Sequence, residues 1–222
     1  KIFYPCIFLL ALGFLQGCGS SHDRTTSAEE ASHFFSDPKI EQCVDSLMQR
    51  MTLDEKIGQL VLYSSHFTTL PKNVEEAIRN GTCGNIFNAH VPSYNRELQR
   101  IAVEETRMGI PLLFGYDVIH GMKTIFPINL GMSCSWDIEG IKNSARVAAR
   151  EAIAAGLNWT FSPMVDVTRD PRWGRVSEGS GEDTYLGSLI AAAMVEGYQG
   201  PTAQSLASDS TILACIKHFA AY

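Results

Sequence analysis

The stretch 165-VDVTRDPRWGRVSEGSGEDTY-185 gathers Asp166, Asp170, Glu178, Glu182 and Asp183 with Arg169, Arg172 and Arg175, eight charged side chains within 21 residues. It follows the apolar run 157–165 and leads into an apolar-periodic segment, so it reads as a loop seated on the end of a strand. The Asp170-Pro171 and Trp173-Gly174 steps punctuate the backbone. The polar side chains are therefore carried by an irregular scaffold and not by a helix face.

Working outward, the same unit recurs: an apolar run of strand length, a polar loop, then a helical pattern. Strand readings fall at 84–89, 111–118, 157–167 and 212–220; helical spacing predicts helices at 94–108, 138–155 and 183–199. Residues 57–63 read as a strand or as a helix end, which periodicity does not separate. Upstream, Ile40, Val44, Leu47, Met48 and Met51 predict an amphipathic helix over 38–51. Thr52 and Glu55 form the pattern of a capping box that opens a second helix. Strands alternating with helices mean a parallel β/α architecture. No GxGxxG, GxxxxGK[ST] or GxSxG run is present, which disfavours a doubly wound nucleotide-binding sheet. Polar residues instead end several strands: Asp117, Asp166 with Asp170, and Lys217 with His218. That convergence is how a (β/α)8 barrel builds a site at its C-terminal face, and about five of the eight βα units needed for closure are present. An open barrel also leaves two unpaired sheet edges.

Composition sets bounds on the partners. The 222 residues carry a net charge of −6 without a basic patch, which argues against nucleic acid. Lys1, the apolar run 2–15 and small residues around Cys18 have the layout of a secretory signal. Leu15-Gln16-Gly17-Cys18 resembles a bacterial lipobox with Gln16 at the usual small-residue position, so residues 1–18 are read as a lipoprotein-type signal peptide with lipidation at Cys18. Residues 19–36 read as a polar tether, and 37–222 as the barrel segment. A lipidated chain is expected at the cell envelope, held on a membrane surface. Of the remaining cysteines, Cys43, Cys83, Cys134 and Cys215, pairing is permitted in an exported protein, and small buried apolar residues are the expected reading. No CxxC or Cys/His spacing suggests a metal, and no cofactor is indicated.

Four motifs in order, GIPLLFGYDVIHG (109–121), TIFPINLGMSCSWD (124–137), SPMVDVTRDPRWGRVSEGSGEDTYL (162–186) and KHFAAY (217–222), resemble glycoside hydrolase family 3, in its bacterial β-glucosidase and β-xylosidase branch. The resemblance covers 51–222. It implies a barrel-like N-terminal domain followed by an α/β sandwich, acting on terminal β-linked sugars with retention. It further implies that Asp117, Arg175, Lys217 and His218 bind the non-reducing sugar. The nucleophilic aspartate and the acid/base glutamate are expected beyond Tyr222, so the chain reads as an N-terminal fragment. The related β-N-acetylglucosaminidases carry a KHFPGHG-like segment where this chain has Lys217-His218-Phe219-Ala220-Ala221-Tyr222, which favours the glucosidase side.

Each assignment has a plainer rival. Asp117 can cap the following turn, and Arg175 can brace its loop through Glu178 or Asp170. Trp173 is read as packing, His120 as structural, and Glu182 and Asp183 as helix-start residues. Lys217 ends an apolar strand, where an unpartnered charge is costly. A catalytic pair drawn from Asp166, Asp170 and Glu178 is disfavoured by the three arginines among them, which predict ion pairs instead. At the level of function, the alternatives to a β-glucosidase are a β-xylosidase and a non-catalytic, carbohydrate-binding lipoprotein.

Overall fold

Asp37 and Pro38 start helix α1 (Pro38–Arg50), as the spacing of Ile40, Val44 and Leu47 predicts; none of its residues is buried. The computed structural model describes residues 37–66, 69, 71–219 and 222; the predicted signal peptide, Cys18 and the tether lie outside these. Two units, 1–41 and 42–222, divide the chain, and the sheet lies in the second.

Helix α2 (Leu53–Gly58) begins with the predicted capping box: Glu55 N–H donates to Thr52 Oγ1 at 3.2 Å, and Thr52 N–H donates to Glu55 Oε2 at 2.8 Å. Glu55 also accepts from Arg107 Nε at 3.0 Å. The Arg107 guanidinium first, and the Thr52 amide second, hold the Glu55 carboxyl down at about 2. Residues 57–63 prove to contain both a helix end and a strand. α2 ends at Gly58 and β1 (Leu62–Ser64) follows.

There follow α3 (Lys72–Arg79), β2 (Asn85–Phe87), α4 (Pro92–Glu104), β3 (Leu113–Tyr116), α5 (Asn129–Ser133), α6 (Ile138–Ala154), β4 (Trp159–Thr160) and α7 (Thr184–Gln199). The strands form one sheet in the order β1-β2-β3-β4, every pair parallel, with Ile86 opposite Phe114 and Gly115 opposite Trp159. At least one helix lies between each strand and the next, which is what parallel pairing requires.

The predicted strands are all shorter than expected, with 84–89 and 111–118 narrowing to β2 and β3, and two depart further. The run 157–167 yields only β4, because Pro163 has no N–H to give to a ladder. The run 212–220 forms no continuous strand, only parallel bridges from Leu213 to Trp159 and from Lys217 to Met164. It still docks along the β4 side by alternating bonds: Thr160 N–H to Leu213 O at 2.8 Å, Cys215 N–H to Ser162 O at 3.0 Å, and Val165 N–H to Lys217 O at 2.8 Å. The result is an incomplete barrel of four strands and a fifth pairing segment. Exposed Leu60 and Leu62 lie at one edge, exposed Ile216 and Phe219 at the other.

Ile86, Phe114 and Leu157 face the helices and join Leu98, Ile101, Ala148, Ala149, Ile190 and Met194 in one core. Full burial of each large apolar side chain there stabilises by about 1.5–3 kcal/mol. On the other sheet face, Phe87 and Trp159 pack edge to face against Phe161. The alanine-rich face of α6 (Ala145, Ala148, Ala149, Ala152) is buried, as are Leu186, Ile190, Ala193, Met194, Gly197 and Tyr198 of α7. Leu189, also apolar on α7, is exposed. The cysteines are all free among the described residues, and the burial expected of them is complete only at Cys83; Cys43 is exposed on α1 and Cys134 is exposed just past the end of α5.

Helices α6 and α7 meet at Gly197, where a Cβ would lie 2.5 Å from Lys142 O and 2.6 Å from Ala145 Cβ. A backbone carbonyl cannot step aside without moving α6. Gly197→Ala is therefore expected to destabilise by about 1–3 kcal/mol, read as a lower denaturant midpoint at unchanged slope; an unchanged midpoint would refute the close contact.

Candidate active site

At the C-terminal ends of the strands, backbone geometry gathers the polar residues. β3 ends at Tyr116, and Asp117 follows. Val118 is fully buried just beyond, where its N–H donates to Thr160 Oγ1 at 3.2 Å and its carbonyl accepts from Tyr198 Oη at 2.8 Å. Tyr198 Oη also lies 3.2 Å from Ser162 Oγ. Burial pushes the Tyr198 hydroxyl up to about 12, so it remains a hydrogen-bond donor.

The Asp117 carboxylate does not cap the next turn: Lys217 Nζ donates to its Oδ1 at 3.3 Å. The carboxylate is 44 % exposed and the lysine side chain 14 %, so the pair presents its negative member to solvent. Lys217 is thus partnered, and its backbone is fixed on both sides by Lys217 N–H to Pro163 O at 3.1 Å and Val165 N–H to Lys217 O at 2.8 Å. The Lys217–His218 peptide bond is cis, as is Ser162–Pro163.

His218 is held by Asp166. One carboxylate oxygen, Asp166 Oδ2, lies 2.9 Å from His218 Nδ1 and accepts from the His218 backbone N–H at 3.0 Å. On the other side of the ring, Arg175 Nη1 lies 3.2 Å from His218 Nε2. Arg175 also grips Glu178 as a fork, Nε to Oε1 at 2.7 Å and Nη2 to Oε2 at 2.5 Å, and donates through Nη1 to Tyr222 Oη at 2.7 Å. The fork holds the Glu178 carboxyl below the usual range and raises Arg175 in turn. Tyr222 stacks on His218 at 3.8 Å between ring centroids, and Trp173 meets Tyr222 edge to face.

Asp117, Lys217, His218 and Arg175 are therefore one connected set, linked through a single peptide bond and two side-chain contacts. The bracing role foreseen for Arg175 occurs together with its place in the set. Elsewhere in the loop, Asp170 and Arg172 pair on the surface, which lowers the Asp170 carboxyl. Asp183 caps α7 through Leu186 N–H at 2.7 Å. Asp170 and Glu178 are thus each paired with an arginine, as expected, whereas Asp166 is engaged by His218. Chemically, the cluster offers an acceptor-only carboxylate beside a donor-only ammonium, the complement of a ligand bearing vicinal hydroxyls.

The family model for the glycosyl hydrolase family 3 N terminal domain matches residues 52–222. The chain belongs to that family. It is 46% identical over 179 residues to the periplasmic beta-glucosidase of Salmonella typhimurium, a match covering 81% of this chain and 23% of that protein. It is 33% identical over 188 residues to a beta-xylosidase of Formosa agariphila, covering 84% of this chain and 22% of the relative. Among solved structures, a mutant beta-glucosidase from Listeria innocua in complex with laminaribiose superposes with a TM-score of 0.72 at 40% identity, covering 80% of this chain and 26% of that one. The family 3 chain thus spans about a quarter of the length of these relatives.

Two supports are not evident from sequence. Asp166 reads there only as one of several strand-end carboxylates. Glu151, on α6, accepts from Lys123 N–H at 2.7 Å, Thr124 N–H at 2.8 Å and Thr124 Oγ1 at 2.7 Å. It pins the tip of the loop that follows Asp117, whose neck closes through Phe126 N–H to His120 O at 2.8 Å and His120 Nδ1 to Phe126 O at 2.9 Å. His120 is structural, as expected. Gly121 makes the turn possible: at φ +117° its Cβ would lie 1.9 Å from Thr124 O.

The Thr124 bonds lower the Glu151 carboxyl from its ordinary 4.5. Because the folded value is the lower one, the support is complete above 4.5 and is lost as pH falls through the folded value. Glu151→Ala is expected to reduce amide-exchange protection at Lys123 and Thr124 by about tenfold or more at neutral pH, and acidification should do the same to the unmodified protein. Unchanged protection in the variant would show that Glu151 does not hold the loop.

Proposed function

We propose that the full-length protein hydrolyses terminal, non-reducing β-D-glucosyl residues of oligosaccharides or glycosides with retention of configuration. The observation that carries this reading is the connected set Asp117–Lys217–His218–Arg175 at the strand ends of a family 3 chain. In this reading Asp117 accepts hydrogen bonds from two vicinal hydroxyls, while Lys217, Arg175 and His218 complete the wall around the same ring. Retention needs two carboxyl groups about 5–5.5 Å apart. By resemblance to the family, the reading assigns nucleophile and acid/base to residues following Tyr222; it is supported by the engagement of Asp166, Asp170 and Glu178 in other contacts.

A second reading, β-xylosidase activity, is favoured by the beta-xylosidase relative. The two sugars differ by a hydroxymethyl group, so the ratio of kcat/KM on aryl β-glucoside and aryl β-xyloside decides between them. Proton NMR of the first product should show the β anomer; release of the α anomer would exclude retention. Asp117→Asn is expected to lower kcat/KM by at least about 100-fold, about 2.7 kcal/mol, with the melting temperature little changed. A loss below about tenfold would remove Asp117 from the sugar site. If titration calorimetry shows glucose or cellobiose binding without turnover, the chain belongs to a binding protein instead.

Export fits the periplasmic beta-glucosidase relative. Lipid anchoring at Cys18 is the finer proposal. Cys18→Ser is expected to move the exported protein from the membrane fraction to the soluble one; an unchanged distribution would exclude the anchor.

A further inference from the structure

We propose that Asp166 is a positioning residue that sets the orientation and tautomer of His218, and through it the placement of Arg175; the proposal rests on the glycosidase reading above. A guanidinium only donates, so the 3.2 Å contact from Arg175 Nη1 requires His218 Nε2 to accept. A carboxylate only accepts, so the 2.9 Å contact with Asp166 Oδ2 requires the ring hydrogen on Nδ1. The two partners together assign the Nδ1–H tautomer, with the hydrogen positioned from its neighbours.

The same Asp166 oxygen accepts from the His218 backbone N–H at 3.0 Å. It therefore fixes the main chain at His218 as well as the turn of the ring. Asp166 is itself held one residue after Val165, whose N–H is bonded to Lys217 O at 2.8 Å. Its side chain is only 12% exposed, so an unpartnered carboxylate there would be costly. Without Asp166 the ring is free to carry its hydrogen on Nε2, which would set a donor against the Arg175 donor. The guanidinium would then lose one of the two contacts that fix Nη1, keeping Tyr222 Oη and the Glu178 fork.

This arrangement gives Asp166 a role beyond a loop brace. It acts on a ligand only through His218 and Arg175, and that makes its effect conditional. In a protein lacking the imidazole, removing Asp166 breaks only its bond to the residue-218 backbone N–H, so the cost should be smaller than in the parent; a residue that merely stabilises the fold would cost the same in both backgrounds.

The test uses the full-length protein labelled with 15N-histidine, with His218→Ala identifying the resonance. The Nδ1–H tautomer is expected in the unmodified protein, shifting toward Nε2–H in Asp166→Ala; an Nε2–H tautomer in the unmodified protein, or no shift in the variant, overturns the proposal. On an aryl β-glucoside, Asp166→Ala is expected to lower kcat/KM by at least about tenfold in the parent. In the His218→Ala background the loss should be clearly smaller, because only the backbone contact is left to break. Equal losses in both backgrounds overturn the proposal. Asp166→Asn keeps an oxygen that accepts from Nδ1–H and should recover most of the activity, which separates loss of position from loss of folding. If Asp166→Ala does not fold, Asp166→Ser, too short to reach the ring, goes through the same cycle. A full-length protein inert on every aryl glycoside would sink the glycosidase reading, while the tautomer measurement would still decide whether Asp166 holds His218.

Discussion

The structure depends on one buried hydroxyl. Tyr198 Oη reaches from α7 to Val118 O and Ser162 Oγ, and so ties the residue after Asp117 to the residue before Pro163. Thr160 Oγ1 closes the group by bonding both Val118 N–H and Val118 O. β3 and β4 share a short ladder, with only two registered pairs. Beyond it, the polar link from a helix keeps their ends together, and leaving such a buried group unpaired costs about 1–3 kcal/mol. Everything presented at the mouth, Asp117 on one side and Asp166 with its loop on the other, is anchored to this point.

The charges above it are paired with one another. Lys217 lies between the acceptor Asp117 and the His218 peptide, and Arg175 between Glu178 and the imidazole. Each side chain is held by a neighbour before any ligand arrives, which reduces the rotamer freedom lost on binding. On other surfaces the chain uses charge differently. Arg100 is bonded to Glu97, Glu104 and Glu105, an exposed network that braces a helix end and offers a ligand little.

Much of this is legible in the residues. Periodicity locates α1, α4, α6 and α7 to within a few positions, and Thr52 with Glu55 announces α2 because a capping box is a local device. Helix α3 gives no such signal, since its buried side is only Val74 and Ile78. The strands are shorter than their apolar runs, because apolar content reports burial and not pairing. Ile212 is buried without belonging to a continuous strand, and Pro163 interrupts a run that otherwise alternates well. Asp117, Arg175, Lys217 and His218 carry their motifs openly, and the structure brings them together. The pairing of Asp166 with His218 spans residues distant in sequence, and no local pattern encodes it.

The Arg175 fork has a consequence for selectivity. A guanidinium has five N–H groups. Among the described residues, Glu178 takes two of them, His218 a third and Tyr222 a fourth. One N–H, on Nη2, is left outside these contacts. In the proposed function Arg175 would therefore test a single oxygen of its guest, and an epimer or ether that misdirects that oxygen would meet no second hydrogen from the same residue to make up the loss.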